Sequence, residues 1–289
     1  MQEVKPGVFF IQAENRGRYP YSNSLFLQGD LNLLVDTGAG PVLNDLPAIP
    51  DRVLLSHYHR DHVTFNHLFK SADFAIHERD AEGVESREGF YRLSGLDRVD
   101  IEAYWKMVKQ SDFSATKIDD YIDEGQVVEM GPFNLQVIHL PGHTPGHCGF
   151  YINKYNLVYA SDIDLTSFGP WYGNPSSDPD QFRGSIERII DMEPDILITG
   201  HCKPVSKNIK KKLIDYTAVL DQRDEELIEV LKEKPSTLDG LVEKNIVYRK
   251  HHGLEVLKYF ERVMIEKHLE SLIKREILIK TEQGLYEVL

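Results

Sequence analysis

The segment that most constrains this chain is Ser56-His57-Tyr58-His59-Arg60-Asp61-His62, which directly follows the apolar run Val53-Leu54-Leu55. It reads H-x-H-x-D-H and packs four potential metal ligands into six residues, a density far more specific than an isolated histidine motif. In extended chain His57 and His59 project to the same side, and a turn at Arg60 brings Asp61 and His62 round beside them. A fold carrying this segment must therefore end a strand at a rim where all four side chains can meet. Neutral imidazoles with a carboxylate suit zinc, manganese or iron, and the absence of thiolates argues against a closed structural zinc site. Open coordination positions point to catalysis.

Three further ligand candidates follow or end β-like runs: His143 in Leu140-Pro-Gly-His-Thr-Pro-Gly-His147, Asp162 in Tyr159-Ala-Ser-Asp, and His201 in Leu197-Ile-Thr-Gly-His. Any one alone would be an ordinary polar residue at a strand end. Their appearance in order after H-x-H-x-D-H makes convergence on one site the better reading.

Short β-like runs dominate the first two hundred residues, at Leu25 to Gln28, Leu31 to Val35, Val53 to Leu55, Phe74 to Ile76, Leu135 to Leu140, Phe150 to Ile152, Leu157 to Ala160 and Ile196 to Thr199. One helix is well marked, with Asp178 as N-cap, Pro179 in its first position and Phe182, Ile186 and Ile189 at helical spacing. Residues 84 to 120 are rich in charge and aromatics without strand alternation, and read as an inserted helical cap with a helix near Ile101 to Val108. From Lys207 the period turns helical through Ile209, Leu213, Tyr216, Leu220, Leu227 and Leu231. Ser236 and Asp239 suggest a capping box, a longer helix uses Leu257, Phe260, Met264, Ile265, Leu269 and Leu272, and Gln283-Gly284 turns a terminal hairpin. Domain boundaries are thus expected at 1–205, carrying the ligands and the cap, and 206–289.

The ligand series, from H-x-H-x-D-H through P-G-H-T-P-G-H and A-S-D to T-G-H, resembles the metallo-β-lactamase superfamily over roughly residues 1 to 205. The likeness extends to Leu33-Leu34-Val35-Asp36-Thr37-Gly38, where Asp36 corresponds to an aspartate that orients a metal-binding histidine. The resemblance implies an α+β fold, a four-layer αββα sandwich. It further implies two divalent metal ions per chain, zinc first, with manganese or iron as the other ions this chemistry accommodates. One would be held by His57, His59 and His143, the other by Asp61, His62 and His201, with Asp162 bridging. The tail resembles the small winged-helix-like domain of the glyoxalase II-like branch.

The function this implies is a metal-dependent hydrolase in which a metal-bridging hydroxide attacks a small thioester, ester or lactone. Asp61 is a catalytic candidate for orienting the nucleophile or passing its proton to the leaving group. Trp171 and Tyr172, soon after Asp162, are candidates to line the substrate pocket. Two alternatives remain: a metal-dependent nuclease or phosphodiesterase acting on RNA or single strands, and an oxidoreductase resembling the mononuclear-iron persulfide dioxygenases.

Charge weighs against the nuclease. Residues 206 to 289 carry sixteen basic and sixteen acidic side chains, so the whole net charge of −13 falls on residues 1 to 205, and such a field repels a phosphate backbone. The expected partner is a small acyl substrate, with nucleic acid disfavoured, no membrane, and homodimerisation open. No apolar run long enough for a spanning helix or secretory leader is seen, and only Cys148 and Cys202 are present, so a cytoplasmic setting is expected. His147, Cys148 and Cys202 are expected to support or pack beside ligands, and His67, His77, His139, His251, His252 and His268 to be structural.

Overall fold

The hairpin that opens the chain, β1 (Gln2–Lys5) and β2 (Val8–Ile11), turns at Pro6-Gly7, with Gly7 in the left-handed region at φ 76°. It continues into β3 (Ser24–Gln28), β4 (Asn32–Val35), β5 (Arg52–Leu54), β6 (Asp73–Ile76) and β7 (Asp120–Tyr121), which lie side by side in chain order in a seven-stranded sheet. Pairing is antiparallel up to β4 and parallel from there to β7. A second, five-stranded sheet contains β8 (Val127–Glu129), β9 (Asn134–His139), β10 (Cys148–Ile152), β11 (Leu157–Tyr159) and β12 (Ile196–Ile198), with β12 parallel to β11. The computed structural model describes residues 1–100, 102, 104, 113–250 and 254–289.

Period-two alternation builds the layers. Leu25, Leu27, Leu33 and Val35 point from the first sheet onto Leu135, Val137, Phe150 and Tyr159 of the second, forming the inter-sheet core. The intervening Phe26, Leu34 and Val53 face the other way, into a cluster with Val63, Val84 and Phe90. Val84 and Phe90 belong to α2 (Glu78–Glu85) and α3 (Arg87–Ser94), where the cap begins; most of the helix expected near Ile101 to Val108 lies outside the described residues. On the outer face of the second sheet, Ile138, Val158 and Leu197 pack on α4 (Pro179–Met192) and α5 (Ile209–Glu233). This is the αββα sandwich.

Helix α4 starts as its sequence dictates, with Asp178 Oδ1 accepting from the backbone N–H groups of Asp180 and Gln181 at 2.8 and 3.0 Å. After α5 come α6 (Leu238–Val242), α7 (Glu255–Lys274) and the hairpin of β13 (Leu278–Lys280) and β14 (Tyr286–Val288). The cap of α6 is Thr237, whose hydroxyl accepts from Gly240 N–H at 3.2 Å, and not Ser236. Ser236 is held instead in a backbone bridge to Tyr286, which removes it from the capping position. Leu213, Leu220, Leu227, Met264 and Leu272 share one apolar cluster with Leu197, while Val256 and Phe260 of α7 join the cluster around Phe90. Helix α7 therefore reaches both outer layers. Among the described residues no helix is long and apolar enough to cross a membrane.

Candidate metal centre

All the ligand candidates sit in strand connections at one edge of the sandwich. Strands β4 and β5 run parallel, so Asp36 and the Ser56–His62 segment leave the sheet at adjacent ends, with Asp36 N–H donating to Leu54 O at 3.0 Å. His143 lies in the β9–β10 connection, Asp162 follows β11 and His201 follows β12. His57 and His59 share a side while Tyr58 points opposite and is fully buried, its ring edge to face with Phe90. At His59 the chain turns into the single helical turn α1 (Arg60–Val63), which carries Asp61 and His62 back over the rim.

Gly38 permits that turn. A Cβ there would lie 1.7 Å from the carbonyl oxygen of Asp61 and 2.2 Å from Ser22 Oγ, the first being backbone that cannot swing away. Gly38→Ala should thus cost about 1–3 kcal/mol by overpacking and displace Asp61. Thermal unfolding should show the first effect, and a fall in kcat/KM of roughly tenfold or more, equivalent to ~1.4 kcal/mol, the second.

The structure brings the seven side chains together in two sets. Donor atoms of His57, His59, His143 and Asp162 all lie within 4.8 Å of one another, as do those of Asp61, His62 and His201. In the first set His143 Nε2 is 2.8 Å from His59 Nδ1 and 3.3 Å from His57 Nε2. Asp162 straddles the sets. Its Oδ2 is 3.2 Å from His143 Nε2, and its Oδ1 is 2.9 Å from His62 Nε2 and 3.5 Å from His201 Nε2. Donors at about 2.1 Å around a tetrahedral cation stand roughly 3.4 Å apart, close to these spacings. His62 Nε2 and Asp162 Oδ1 are buried and, though 2.9 Å from each other, are not aligned as a hydrogen bond, which fits donor atoms arranged for a cation.

The far nitrogens of the imidazoles are held by other groups, which fixes the rings. Asp36 Oδ2 is 2.8 Å from His62 Nδ1, and Asp36 also accepts from Ser56 N–H, Ser56 Oγ and Tyr159 Oη. His143 Nδ1 meets the carbonyl of Trp171 at 2.8 Å, and His201 Nδ1 that of Gly17 at 2.6 Å. His59 alone turns Nδ1 inward, its Nε2 lying 3.0 Å from the Asn174 amide. His147 is buried, its Nδ1 2.9 Å from Leu140 O while its Nε2 accepts the backbone N–H of Asp162 at 3.2 Å. It steadies Asp162 from below. Burial, reinforced by neighbouring imidazoles, holds His57 and His59 neutral, with pKa values well below the usual histidine range. Burial acts the same way on His62 and His201, but Asp162 and the other carboxylates outweigh it and raise both, His201 to about 10.

A cavity of about 480 Å³ opens directly over the two sets, with His59, Asp61, His143, Asp162 and His201 at its polar end. Of the two aromatics Trp171 lines it and Tyr172 does not. Tyr172 is fully buried on the opposite side of its loop, Oη 2.5 Å from His268 Nε2 and 2.8 Å from Arg223. Adjacent residues of an extended loop point to opposite sides, so only one of the two aromatics can face the metals. Asn174 and the carbonyls of Gly17 and Trp171 were not anticipated. Asn174 lies in a segment whose strongest sequence signal is its aromatic rings, and a carbonyl leaves no trace in residue identity.

A sequence profile of the metallo-beta-lactamase superfamily matches residues 17–201. Among curated proteins, the chain is 27% identical over 158 residues to a hydroxyacylglutathione hydrolase of Haemophilus influenzae, covering 52% of this chain and 67% of that one. It is 23% identical over 212 residues to an acyl-coenzyme A thioesterase of Bos taurus, covering 64% and 73%. Among solved structures, a metallo-beta-lactamase family protein from Thermus thermophilus superposes with a TM-score of 0.75 at 21% identity, covering 99% of this chain and 100% of that one.

Proposed function

Because this chain belongs to the metallo-β-lactamase superfamily, whose members bind divalent metals and whose relatives here are hydrolases, we propose that it hydrolyses a small acyl thioester or ester with two divalent cations, zinc first, held by the seven residues above. The observation that carries the reading is Asp162, one carboxylate with an oxygen turned to each donor set. His57, His59 and His143 form one three-nitrogen set, and Asp61, His62 and His201 the other. Cations bound there would supply hydroxide from water at neutral pH and polarise the carbonyl under attack.

The protein's own groups do the rest. Asp61 faces the cavity, its Oδ2 3.4 Å from His201 Nε2, and can hold the attacking water and accept its proton. Among the described residues no cysteine lines the cavity, and no lysine stands there to protonate a poor leaving group. A thiolate, of pKa about 8.5, leaves near neutral pH without such help, which favours a thioester over an amide. We read the C-terminal helices and hairpin as a winged-helix-like module that packs on the sandwich and is not used here for nucleic acid: its cluster Lys210-Lys211-Lys212 is exposed, and Lys211 is paired to Asp215 at 2.6 Å.

Elemental analysis of protein purified without chelator, followed by a thioester, ester and lactone panel, tests the reading. About two zinc or manganese ions per chain with thioester turnover is the expected result. A single iron per chain with oxygen consumed on a persulfide would overturn it for the oxidative alternative, and RNA cleavage without thioester turnover would overturn it for the nuclease.

A further inference from the structure

Resting on the hydrolase reading above, we propose that the acyl group this enzyme accepts is an extended apolar chain without polar substituents, seated in the cavity above the metal centre, with Leu257 and Phe260 of the C-terminal α7 setting its length. Away from the ligands the wall includes a hydrocarbon surface from three separate parts of the chain: Phe90 and Leu96 from the cap, Phe168 and Trp171 from the loop after β11, and Leu257 and Phe260 from α7. Its volume is far beyond what a two-carbon acyl group fills, roughly that of two or three water molecules at ~30 Å³ each, and falls in the ordinary range for pockets that bury a whole organic ligand.

The polar tips of the lining aromatics are spent on each other. Trp171 Nε1–H donates to Tyr248 Oη at 2.7 Å, and the hydroxyls of Tyr19 and Tyr104 lie 3.3 Å apart. Among the described residues the polar lining other than the ligands and these aromatics is Arg18, Arg60, Ser94, Asp164, Thr166 and Asn174, and a hydroxyl on a chain that reaches none of them meets only hydrocarbon. A hydroxyl placed elsewhere on this wall would lose its water without compensation. Phe260 packs edge to face on Trp171 at 5.3 Å, so the helix that closes the cavity is in contact with the loop bordering the metal centre.

The test uses the enzyme with its native metals and thioesters of one thiol, N-acetylcysteamine, carrying acetyl, butanoyl, hexanoyl, octanoyl or 3-hydroxyoctanoyl groups. Each added methylene should raise kcat/KM about fourfold until the cavity is full, and octanoyl should exceed 3-hydroxyoctanoyl. Leu257→Trp, which fills the cavity, should move the optimum to shorter chains, and Phe260→Ala should move it to longer ones. Circular dichroism identifies a variant that has not folded, and either variant suffices. A flat or falling chain-length series, an unmoved optimum in a folded variant, or preference for the hydroxyacyl chain overturns the proposal. If no acyl chain is hydrolysed, the hydrolase reading fails separately, and calorimetry with octan-1-ol decides this one. Binding that weakens in Leu257→Trp supports an apolar chain site, and absence of binding overturns it.

Discussion

Replacing His59 with alanine should lower kcat/KM on the order of 10³-fold, equivalent to ~4 kcal/mol, and remove bound metal while leaving the fold in place. His59 is half-buried at the rim, where it meets His143 and Asn174 and lies edge to face with the rings of His57, Tyr58 and Trp171. The sandwich is held by the apolar residues between its two sheets, a cluster to which His59 does not belong; its fully buried core neighbour, the Tyr58 ring, stays packed on Phe90. His62 makes the contrast. Its Nδ1 is 2.8 Å from Asp36 with both side chains wholly buried, and Asp36 anchors Ser56 and Tyr159 as well. His62→Ala should therefore lose both metal and stability, by about 3–5 kcal/mol, because it strands a buried carboxylate. Metal analysis and denaturant unfolding of the two variants separate the effects. Equal destabilisation by both would make the cluster a structural device, and full activity in His59→Ala would remove that ring from the centre.

What could be read in advance followed the chemistry. Histidines and aspartates spaced two and one apart after an apolar run carry a constraint that few other arrangements satisfy, and all seven meet within two donor sets. The strands of the inner layers were legible because short apolar runs such as Leu25-Phe26-Leu27 and Leu33-Leu34-Val35 are bounded by turn residues, their two faces being buried in different clusters. The opening hairpin was not. Its first strand, Gln2–Lys5, is polar and largely exposed, so it offers no apolar pattern to pair with Val8-Phe9-Phe10-Ile11. Nor could sequence choose between Trp171 and Tyr172, since the choice is made by groups 51 and 96 residues downstream, Arg223 and His268. Thr237 displaced Ser236 as a cap for the same kind of reason, a long-range pairing with Tyr286.

Those distant groups lead to the second large effect, expected from Arg223→Leu. The Arg223 guanidinium is buried and donates to the carbonyls of Phe168 and Pro170 at 2.6 and 2.8 Å and to Tyr172 Oη at 2.8 Å, bracketing the loop that ends at Trp171. Tyr172 also meets His268, whose Nδ1 is 2.6 Å from Asp224, and Asp224 in turn pairs with Arg183 and Arg275. The C-terminal helices thereby hold the carbonyl of Trp171 against His143. Leucine would leave a buried and a part-buried carbonyl unpaired, at about 1–3 kcal/mol for the buried one and less for the other, so a loss near 3 kcal/mol is expected in denaturant unfolding. With the Trp171 carbonyl free to drift, metal affinity should weaken about 10–100-fold, the range seen when partners that orient metal-binding histidines are removed. Competition with a chelator measures the affinity, and the visible spectrum of the cobalt-substituted protein reports the ligand geometry directly, independent of turnover. Arg223→Lys keeps the charge but cannot fork between two carbonyls, so it should recover only part of either loss. A variant that lost stability yet kept the wild-type cobalt spectrum and chelator competition would show that the loop is fixed by the sandwich alone and that the C-terminal helices serve packing only.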